Sequence, residues 1–276
     1  MSVARLPDGT TIWYRSLGRG APLLQIHGSA FGHRNFAKLT PLMERRFEVV
    51  DFDLPGYGES HSPVPPRDFD GFADLVAALI RALGYERLSV HGTSFGAMIA
   101  LALAARHPAL VDRLVLSCFL ARYDGAARMM RATWRRAALE SGMDAVADLT
   151  SVAGFARSYY ERPEAAAQLA SMREAFARTL PEAFCAGTEM IERSDLAPYV
   201  PCVTAPTLLL AGDEDNMTPL EPATSGFGMS RIAPLLPDCE LRVLAKCGHY
   251  LVIEQPEAAA EAIERFFDTA RQSHPR

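Results

Sequence analysis

Length, composition and charge exclude several classes of protein before any motif is considered. The chain has 276 residues, of which 49% are hydrophobic and 22% are charged, and both fractions are ordinary for a globular protein. A chain of this length buries most of its surface without needing disulfides or a structural metal. The net charge is −5 and no long basic run occurs, which argues against a nucleic-acid partner.

The cysteines and the apolar segments indicate the compartment. The five cysteines show no C-x-x-C spacing, so the sequence predicts neither a disulfide framework nor a zinc site. The longest apolar stretch, residues 97–105, is about half of what a membrane crossing requires. The N-terminal residues lack the apolar segment of a signal peptide. We therefore expect a cytoplasmic protein without a membrane partner.

Short apolar runs alternate with helical patterns along most of the chain. In chain order, the predicted strands are residues 22–28, 46–53, 88–92, 113–118, 207–215 and 241–249. Helical periodicity occurs at residues 72–83, 97–107 and 257–270. Strands that are apolar throughout and separated by helices are typical of a parallel sheet covered on both faces. The sequence therefore predicts an α/β fold with a doubly wound, mostly parallel sheet.

Residues 122–200 interrupt this alternation. The segment is rich in alanine, arginine and glutamate, is helical in pattern, and contains no convincing strand. Pro198 and Pro201 bracket the return to the strand pattern. We predict that residues 122–200 form a helical cap, inserted into a core made of residues 1–121 and 201–276.

The most informative motif is a G-x-S-x-G at residues 92–96, with Ser94 at its centre. A predicted strand precedes the motif and a predicted helix follows it, which is the setting of a nucleophile elbow. In such an elbow the tight turn strains the serine backbone, and the glycines allow neighbouring segments to approach closely. The N-terminus of the following helix favours developing negative charge. Ser94 is therefore the predicted nucleophile.

A serine nucleophile needs a base, and the base needs an acid that orients it. Of the seven histidines, His249 follows a predicted strand and so lies at the same edge of the sheet as Ser94. The loop after the strand TLLLAG offers Asp213 and Asp215. We expect Asp213 to stabilise the turn through its own backbone, which favours Asp215 as the acid. Asp124, just beyond another strand, is the alternative.

The chain order Ser94, Asp215, His249 is the nucleophile–acid–base order of the α/β-hydrolases. The segments HGSA, DLPGYGES, GTSFG, APTLLLAGDEDNMTP and GHYLVIEQPEA resemble the successive signatures of the α/β-hydrolase superfamily. The resemblance covers the chain from about residue 10 to residue 270, except for the cap. The resemblance implies the α/β-hydrolase fold with an inserted helical cap. Since serine occupies the nucleophile position, it also implies an acyl-enzyme rather than carbon–halogen displacement.

The resemblance further implies individual site residues. It supports Asp215, which stands three residues after Gly212, and it implies an oxyanion hole formed by the backbone N–H groups of Phe95 and Ser29. The loop that contains Ser29 has small residues, which leave its N–H groups open to a substrate oxygen. Donors fixed in such a position stabilise a tetrahedral oxyanion without reorganisation.

Residues 127–140 in the cap sort into two helical faces. One face carries Met130 and Trp134, and the other carries three arginines, Arg128, Arg131 and Arg135. In one interpretation the apolar stripe packs on the core and the arginines are solvated. In the other, Met130 and Trp134 bind substrate as an apolar roof over the pocket, and a nearby arginine holds a substrate carboxylate.

Two segments around the cap, GMDAVAD and ERSDLAPYVPCVTAPTL, are similar to the 3-oxoadipate enol-lactonase group, which implies a small ester or lactone as substrate. The predicted mechanism is acyl transfer from that substrate to water, and it needs no metal or organic cofactor. The same triad also fits a cofactor-free perhydrolase or a carbon–carbon bond hydrolase. A ligand receptor on a hydrolase fold is the alternative of a different class.

Overall fold

The computed structural model describes residues 2–60 and 65–273. Within these residues the strands form one eight-stranded sheet in the order β1-β2-β4-β3-β5-β6-β7-β8. The strands are β1 (Ser2–Arg5), β2 (Thr11–Gly18), β3 (Ala21–Ile26), β4 (Phe47–Phe52), β5 (Leu88–Thr93), β6 (Val111–Ser117), β7 (Thr207–Gly212) and β8 (Cys239–Leu244). Strands β3 to β8 are parallel, and β1 and β2 pair antiparallel. The predicted mostly parallel sheet is confirmed.

Helices lie between the strands and after them. They are α1 (Thr40–Met43), α2 (Phe69–Ala82), α3 (Phe95–Arg106), α4 (Gly125–Glu140), α5 (Met143–Gly154), α6 (Ala165–Phe176), α7 (Pro181–Arg193), α8 (Met229–Ile232), α9 (Leu251–Glu254) and α10 (Pro256–Ser273). No helix of the described residues has the length and apolar character that a membrane crossing needs.

The sheet separates two apolar clusters because successive residues of a strand point to opposite faces. Leu24 of β3 and Val50 of β4 belong to the cluster that includes α2 and α3. Their immediate neighbours Leu23 and Val49 belong to the cluster that includes α10 and much of the cap. This two-sided burial is what the continuous apolar runs of the central strands predict.

The first two strands are a difference from the sequence prediction. The six predicted strands correspond to β3–β8, whereas β1 and β2 were not predicted. Strand β1 has four residues, of which three are exposed, and only two of the eight residues in β2 are buried. The edge strand β1 and its neighbour β2 lack the continuous apolar run that identifies a buried parallel strand.

Helices α4 to α7 fill the segment between β6 and β7, where the sequence predicts an insertion. Arg122 and Asp195 form an isolated antiparallel bridge, and their side chains form an ion pair at 2.7 Å between Nη1 and Oδ2. The chain therefore leaves the sheet and returns to it at neighbouring points. The division into core and cap at residues 122–200 stays a prediction.

Candidate active site

Ser94 lies at the sharp turn between β5 and α3. Its backbone has φ 55° and ψ −116°, an unfavourable conformation for a residue with a side chain. The turn is held by a hydrogen bond of 2.8 Å from the Ser94 N–H to the carbonyl of Ser117. A Cβ atom on Gly92 would clash with the Gly96 carbonyl, and one on Gly96 would clash with the Ile26 carbonyl. The glycines of the motif are therefore required by close backbone approach.

Three predicted residues meet above the carboxyl ends of the parallel strands. His249 Nε2 lies 2.9 Å from Ser94 Oγ, and His249 Nδ1 lies 2.9 Å from Asp215 Oδ2. All three residues are buried. Asp215 follows β7 and His249 follows β8, so the parallel topology brings together residues that are far apart in the sequence.

Asp215 accepts hydrogen bonds from several donors besides the imidazole. The backbone N–H groups of Met217 and Thr218 donate to Oδ1 at 2.9 and 2.8 Å, and the Thr218 hydroxyl donates to Oδ2 at 2.7 Å. Burial alone raises the pKa of the Asp215 carboxyl, but His249 and the Thr218 bonds outweigh it and hold that pKa below its usual range. The group is therefore a carboxylate at neutral pH.

Thr218 is a site residue that the sequence reasoning missed. Its hydroxyl lies 3.0 Å from His249 Nδ1 and also bonds to Asp215. It therefore contacts both residues of the hydrogen bond between His249 and Asp215. The signal was present, since a threonine stands three residues after Asp215 in the motif DEDNMTP. A short polar residue at that spacing can return to the aspartate across a turn.

The two other candidate acids have different partners. Asp213 Oδ1 accepts from the Cys247 N–H at 3.2 Å. Asp124 is the N-cap of α4, with its carboxylate accepting from the Ala127 N–H and the Ala223 N–H at 2.9 Å each. Of the three aspartates that the sequence offered, Asp215 is the one that contacts His249.

Two backbone N–H groups near Ser94 have no acceptor in the described part of the chain. They belong to Phe95, the first residue of α3, and to Ser29 in the loop after β3. Helix N-termini leave such donors unpaired, which accounts for Phe95. The Ser29 Oγ atom is also buried without a hydrogen-bond partner. These donors are available to an oxygen that enters the site.

The loop that carries Ser29 is fixed by its neighbours. The Gly28 N–H donates to Asn35 Oδ1 at 2.7 Å, so this donor is not available to a ligand. His27 Nε2 accepts from the Leu54 N–H at 2.9 Å, which leaves its Nδ1 to donate to the Gly28 carbonyl at 2.8 Å. Both ring nitrogens of His27 are therefore held by backbone groups, so His27 has a structural role in this loop.

A narrow pocket opens beside Ser94 and His249. Its walls are mostly apolar. They include Phe31 and Met217 from the core, Phe176 and Phe184 from cap helices, and Tyr250 next to the histidine. Arg131 of α4 also lines the pocket. Pockets with a few polar groups in an apolar wall are typical of small-molecule sites.

The structure corrects the predicted stripe on the cap helix. The buried residues of α4 are Ala127, Arg131, Trp134 and Ala138, so the inward face includes an arginine that the pattern placed on the face opposite Trp134. Met130 and Trp134 are not among the residues that line the pocket of Ser94; they line an outer groove between α4 and α5. Met130 and Trp134 therefore do not occupy the predicted position over the pocket beside Ser94, whereas Arg131 lines that pocket.

Glu254 joins the cap to the loop that carries the histidine. Its Oε1 accepts from the Gly248 N–H and its Oε2 from the Ala156 N–H, both at 3.1 Å. Beside it, the His249 N–H donates to the Gly154 carbonyl at 2.6 Å. Burial raises the pKa of the Glu254 carboxyl to about 7, although the two backbone donors act against it.

Among the described residues, one group has the spacing of metal ligands. The ligand atoms of Cys118, Asp215 and His249 lie within 4.8 Å of one another. Both ring nitrogens of His249 are already hydrogen-bonded, to Asp215 and Ser94. Burial raises the pKa of the Cys118 thiol well above its ordinary value, which disfavours the thiolate that binds metals. The donor set fits a hydrogen-bonded triad better than a metal site.

Comparison with known proteins identifies the family. The model of the alpha/beta hydrolase family matches residues 24–262, so the chain belongs to this family. It is 30% identical over 264 residues to a poly(3-hydroxyalkanoate) depolymerase of Ectopseudomonas oleovorans, covering 92% of this chain and 88% of the relative.

Other relatives carry different names. A 2-hydroxymuconate semialdehyde hydrolase of Pseudomonas putida is 28% identical over 272 residues, covering 93% of this chain and 90% of the relative. Among solved structures, the enol-lactonase from Burkholderia xenovorans LB400 superposes with a TM-score of 0.86 at 25% identity, covering 97% of this chain and 100% of that one. The predicted superfamily, with its similarity to enol-lactonases, is confirmed.

Proposed function

We propose that this protein is a serine hydrolase that cleaves a carboxylic ester or lactone of a small molecule through an acyl-enzyme. The observation that carries the proposal is the continuous hydrogen-bond chain from Ser94 Oγ through His249 to Asp215, with both links at 2.9 Å. A serine bonded to an imidazole that is itself oriented by a carboxylate is the arrangement of an activated nucleophile.

The proposed reaction follows from this geometry. Ser94 Oγ attacks the carbonyl carbon while His249 Nε2 takes its proton, and Asp215 stabilises the resulting imidazolium. The N–H groups of Phe95 and Ser29 donate to the oxyanion, and one such donor contributes about 3–4 kcal/mol to transition-state stabilisation. The imidazolium then protonates the leaving alcohol. Water, activated by the same imidazole, releases the carboxylic acid and restores the serine.

The narrow, mostly apolar pocket beside Ser94 supports a small-molecule substrate rather than a polymer chain that would need an open groove. The five cysteines are free. Free cysteines suit a reducing compartment, and we propose that the enzyme acts in the cytoplasm. No part of the proposed mechanism requires a metal or an organic cofactor.

A panel of 4-nitrophenyl esters with short and long acyl chains tests the proposal. The wild type should hydrolyse the short esters, and Ser94→Ala should retain less than about a thousandth of that rate. Circular dichroism should show that the variant is folded, since the substitution removes one hydroxyl group. Ester hydrolysis that survives in a folded Ser94→Ala variant would overturn the assignment.

A carbon–carbon bond hydrolase is the second candidate. It is favoured by the relative named 2-hydroxymuconate semialdehyde hydrolase, which is 28% identical over 93% of this chain. Assaying 2-hydroxymuconate semialdehyde beside the ester panel separates the two functions, because the true substrate class should have the higher kcat/KM. A protein that binds ligands but turns over neither class would instead be the receptor.

A further inference from the structure

Arg131 is a buried cation without an anionic partner. It is 3% exposed, and its Nη2 donates to the Tyr123 hydroxyl at 3.1 Å. Its guanidinium carbon lies 4.7 Å from the centre of the Trp134 ring. In the described part of the chain no carboxylate pairs with Arg131, whereas Arg135 of the same helix pairs with Glu192 at 2.6 Å.

Such burial is unfavourable unless something neutralises the charge. Removing a guanidinium from water costs several kcal/mol, and an aromatic face offsets only part of this. A guanidinium has five N–H donors, and one hydrogen bond is made here. The other donors have no acceptor in the described part of the chain, and Arg131 lines the same cavity as Ser94 and His249.

The neighbouring titratable groups do not supply the missing negative charge. The tyrosines Tyr57, Tyr123 and Tyr250 feel the charge of Arg131, but burial raises the pKa of each of them. All three are therefore neutral hydroxyls at physiological pH. Asp215 is already engaged by His249 and Thr218.

We propose that Arg131 forms an anion subsite that binds a free carboxylate of the substrate. The substrate class is then an ester or lactone of a small organic acid that carries a second, ionised carboxyl group. A guanidinium matches a carboxylate through two parallel hydrogen bonds, and the Trp134 ring and the Tyr123 hydroxyl hold its plane. This inference rests on the proposed function of Ser94, because it assigns a substrate to that site.

Binding provides a test that does not depend on turnover. Calorimetric titration of the Ser94→Ala variant compares monomethyl glutarate, an anionic ester, with its neutral analogue dimethyl glutarate. We expect the anion to bind on the order of 30-fold more tightly, as for a hydrogen bond to a charged group. Adding Arg131→Met should abolish the difference, and equal affinities before that change would overturn the proposal.

Kinetics test the same subsite in the active enzyme. The ratio of kcat/KM for mono-4-nitrophenyl glutarate to that for 4-nitrophenyl pentanoate should fall on the order of 30-fold in Arg131→Met, mainly through KM. Arg131→Lys should keep more of the ratio than Arg131→Met, since lysine keeps the positive charge but lacks the two parallel N–H donors of a guanidinium. Arg136→Met, which removes an exposed arginine of the same helix, is the matched control and should keep the wild-type ratio.

A structural role for Arg131 gives a different pattern. Arg131→Met should melt at or above the wild-type temperature, because it removes an unpaired buried charge. A lower melting temperature with equal losses on both esters would mean that the arginine only supports the fold, and would overturn the proposal. If no ester is hydrolysed but monomethyl glutarate binds through Arg131, the hydrolase function fails and the subsite stands. If esters are hydrolysed without preference for the anion, the hydrolase function stands and the subsite fails.

Discussion

Asp215 and Asp213 lie two residues apart in one loop, and their carboxylates face different partners. Asp213 accepts from the backbone of Cys247 and so closes the turn. Asp215 instead receives the imidazole of His249 and the hydroxyl of Thr218. One face of this loop is therefore structural, and the other face orients the histidine.

This difference predicts unequal effects of two matched substitutions. Asp215→Asn should lower kcat by roughly 10³- to 10⁴-fold, because an amide favours the wrong imidazole tautomer. Asp213→Asn should change kcat only a few-fold. Steady-state ester kinetics on both variants provide the measurement. The reverse ranking, or a large loss confined to Asp124→Asn, would assign the acid elsewhere.

Trp134 gives a second prediction for a single residue. The side chain is 3% exposed and packs against Arg131, so truncation to alanine should lower the free energy of unfolding by about 3–5 kcal/mol. Met129→Ala is the control, since Met129 is 70% exposed on the same helix. Chemical denaturation of both variants measures the effect. A Trp134→Ala variant as stable as the control would contradict the structural role of Trp134 in the cap.

At the scale of elements, Glu254 at the end of α9 joins the loop that carries His249 to the segment 154–156. The carboxylate bridges the N–H groups of Gly248 and Ala156, and the backbone of His249 bonds to Gly154. The loop that carries the histidine is therefore fixed against the cap rather than against the sheet alone.

The pKa of Glu254 predicts how this link affects stability at different pH. In the folded chain the pKa is raised from 4.5 to about 7 by burial. The folded state therefore binds an extra proton between these values, and this contribution to stability is lost as the pH rises through about 7. The Glu254→Gln variant does not lose stability in this way, because its side chain does not titrate. Relative to wild type, its free energy of unfolding should gain on the order of 2 kcal/mol between pH 5 and pH 8.

Urea denaturation at several pH values measures that difference. Because Glu254→Gln also alters one backbone hydrogen bond, the change with pH is informative rather than the value at any single pH. Glu257→Gln, at an exposed position nearby, is the matched control and should show no such trend. A Glu254→Gln variant whose relative stability is independent of pH would mean that Glu254 has the same pKa in both states.

The sequence predicts the site well where each residue can be placed from the strand pattern and the parallel topology alone. Ser94, Asp215 and His249 each follow a parallel strand, and a parallel topology brings such positions to one edge. The pattern on α4 fails because it places all three arginines on the face opposite Trp134, whereas Arg131 is buried beside Trp134 and Tyr123. The link from Glu254 to the cap joins segments about a hundred residues apart, and no local pattern encodes such a contact.

At the scale of the whole molecule, the cap and the core share one apolar cluster. Phe31 of the core packs edge-on against Phe176 of α6, with ring centres 5.0 Å apart. Phe155 after α5 contacts Tyr250 beside the histidine at 4.9 Å. Within the described residues, the segment predicted as a cap, 122–200, therefore shares an apolar cluster with the sheet and α10.

This shared cluster predicts cooperative unfolding. Differential scanning calorimetry should show a single transition, with calorimetric and van't Hoff enthalpies that agree. Circular dichroism and tryptophan fluorescence should report the same midpoint, because Trp13 lies in the sheet and Trp134 in the cap. Two resolved transitions, with Trp134 reporting the earlier one, would show that the cap folds independently.

The central claim is that Ser94 is a nucleophile that forms a covalent intermediate, and titration with paraoxon tests it most directly. A serine activated by His249 should displace one equivalent of 4-nitrophenol per chain and retain the diethylphosphoryl group. We predict that peptide mass spectrometry places this group on Ser94, that ester hydrolysis is lost in proportion, and that Ser94→Ala is not labelled. A chain that releases no 4-nitrophenol, or one labelled at another residue while hydrolysis continues, would contradict the account.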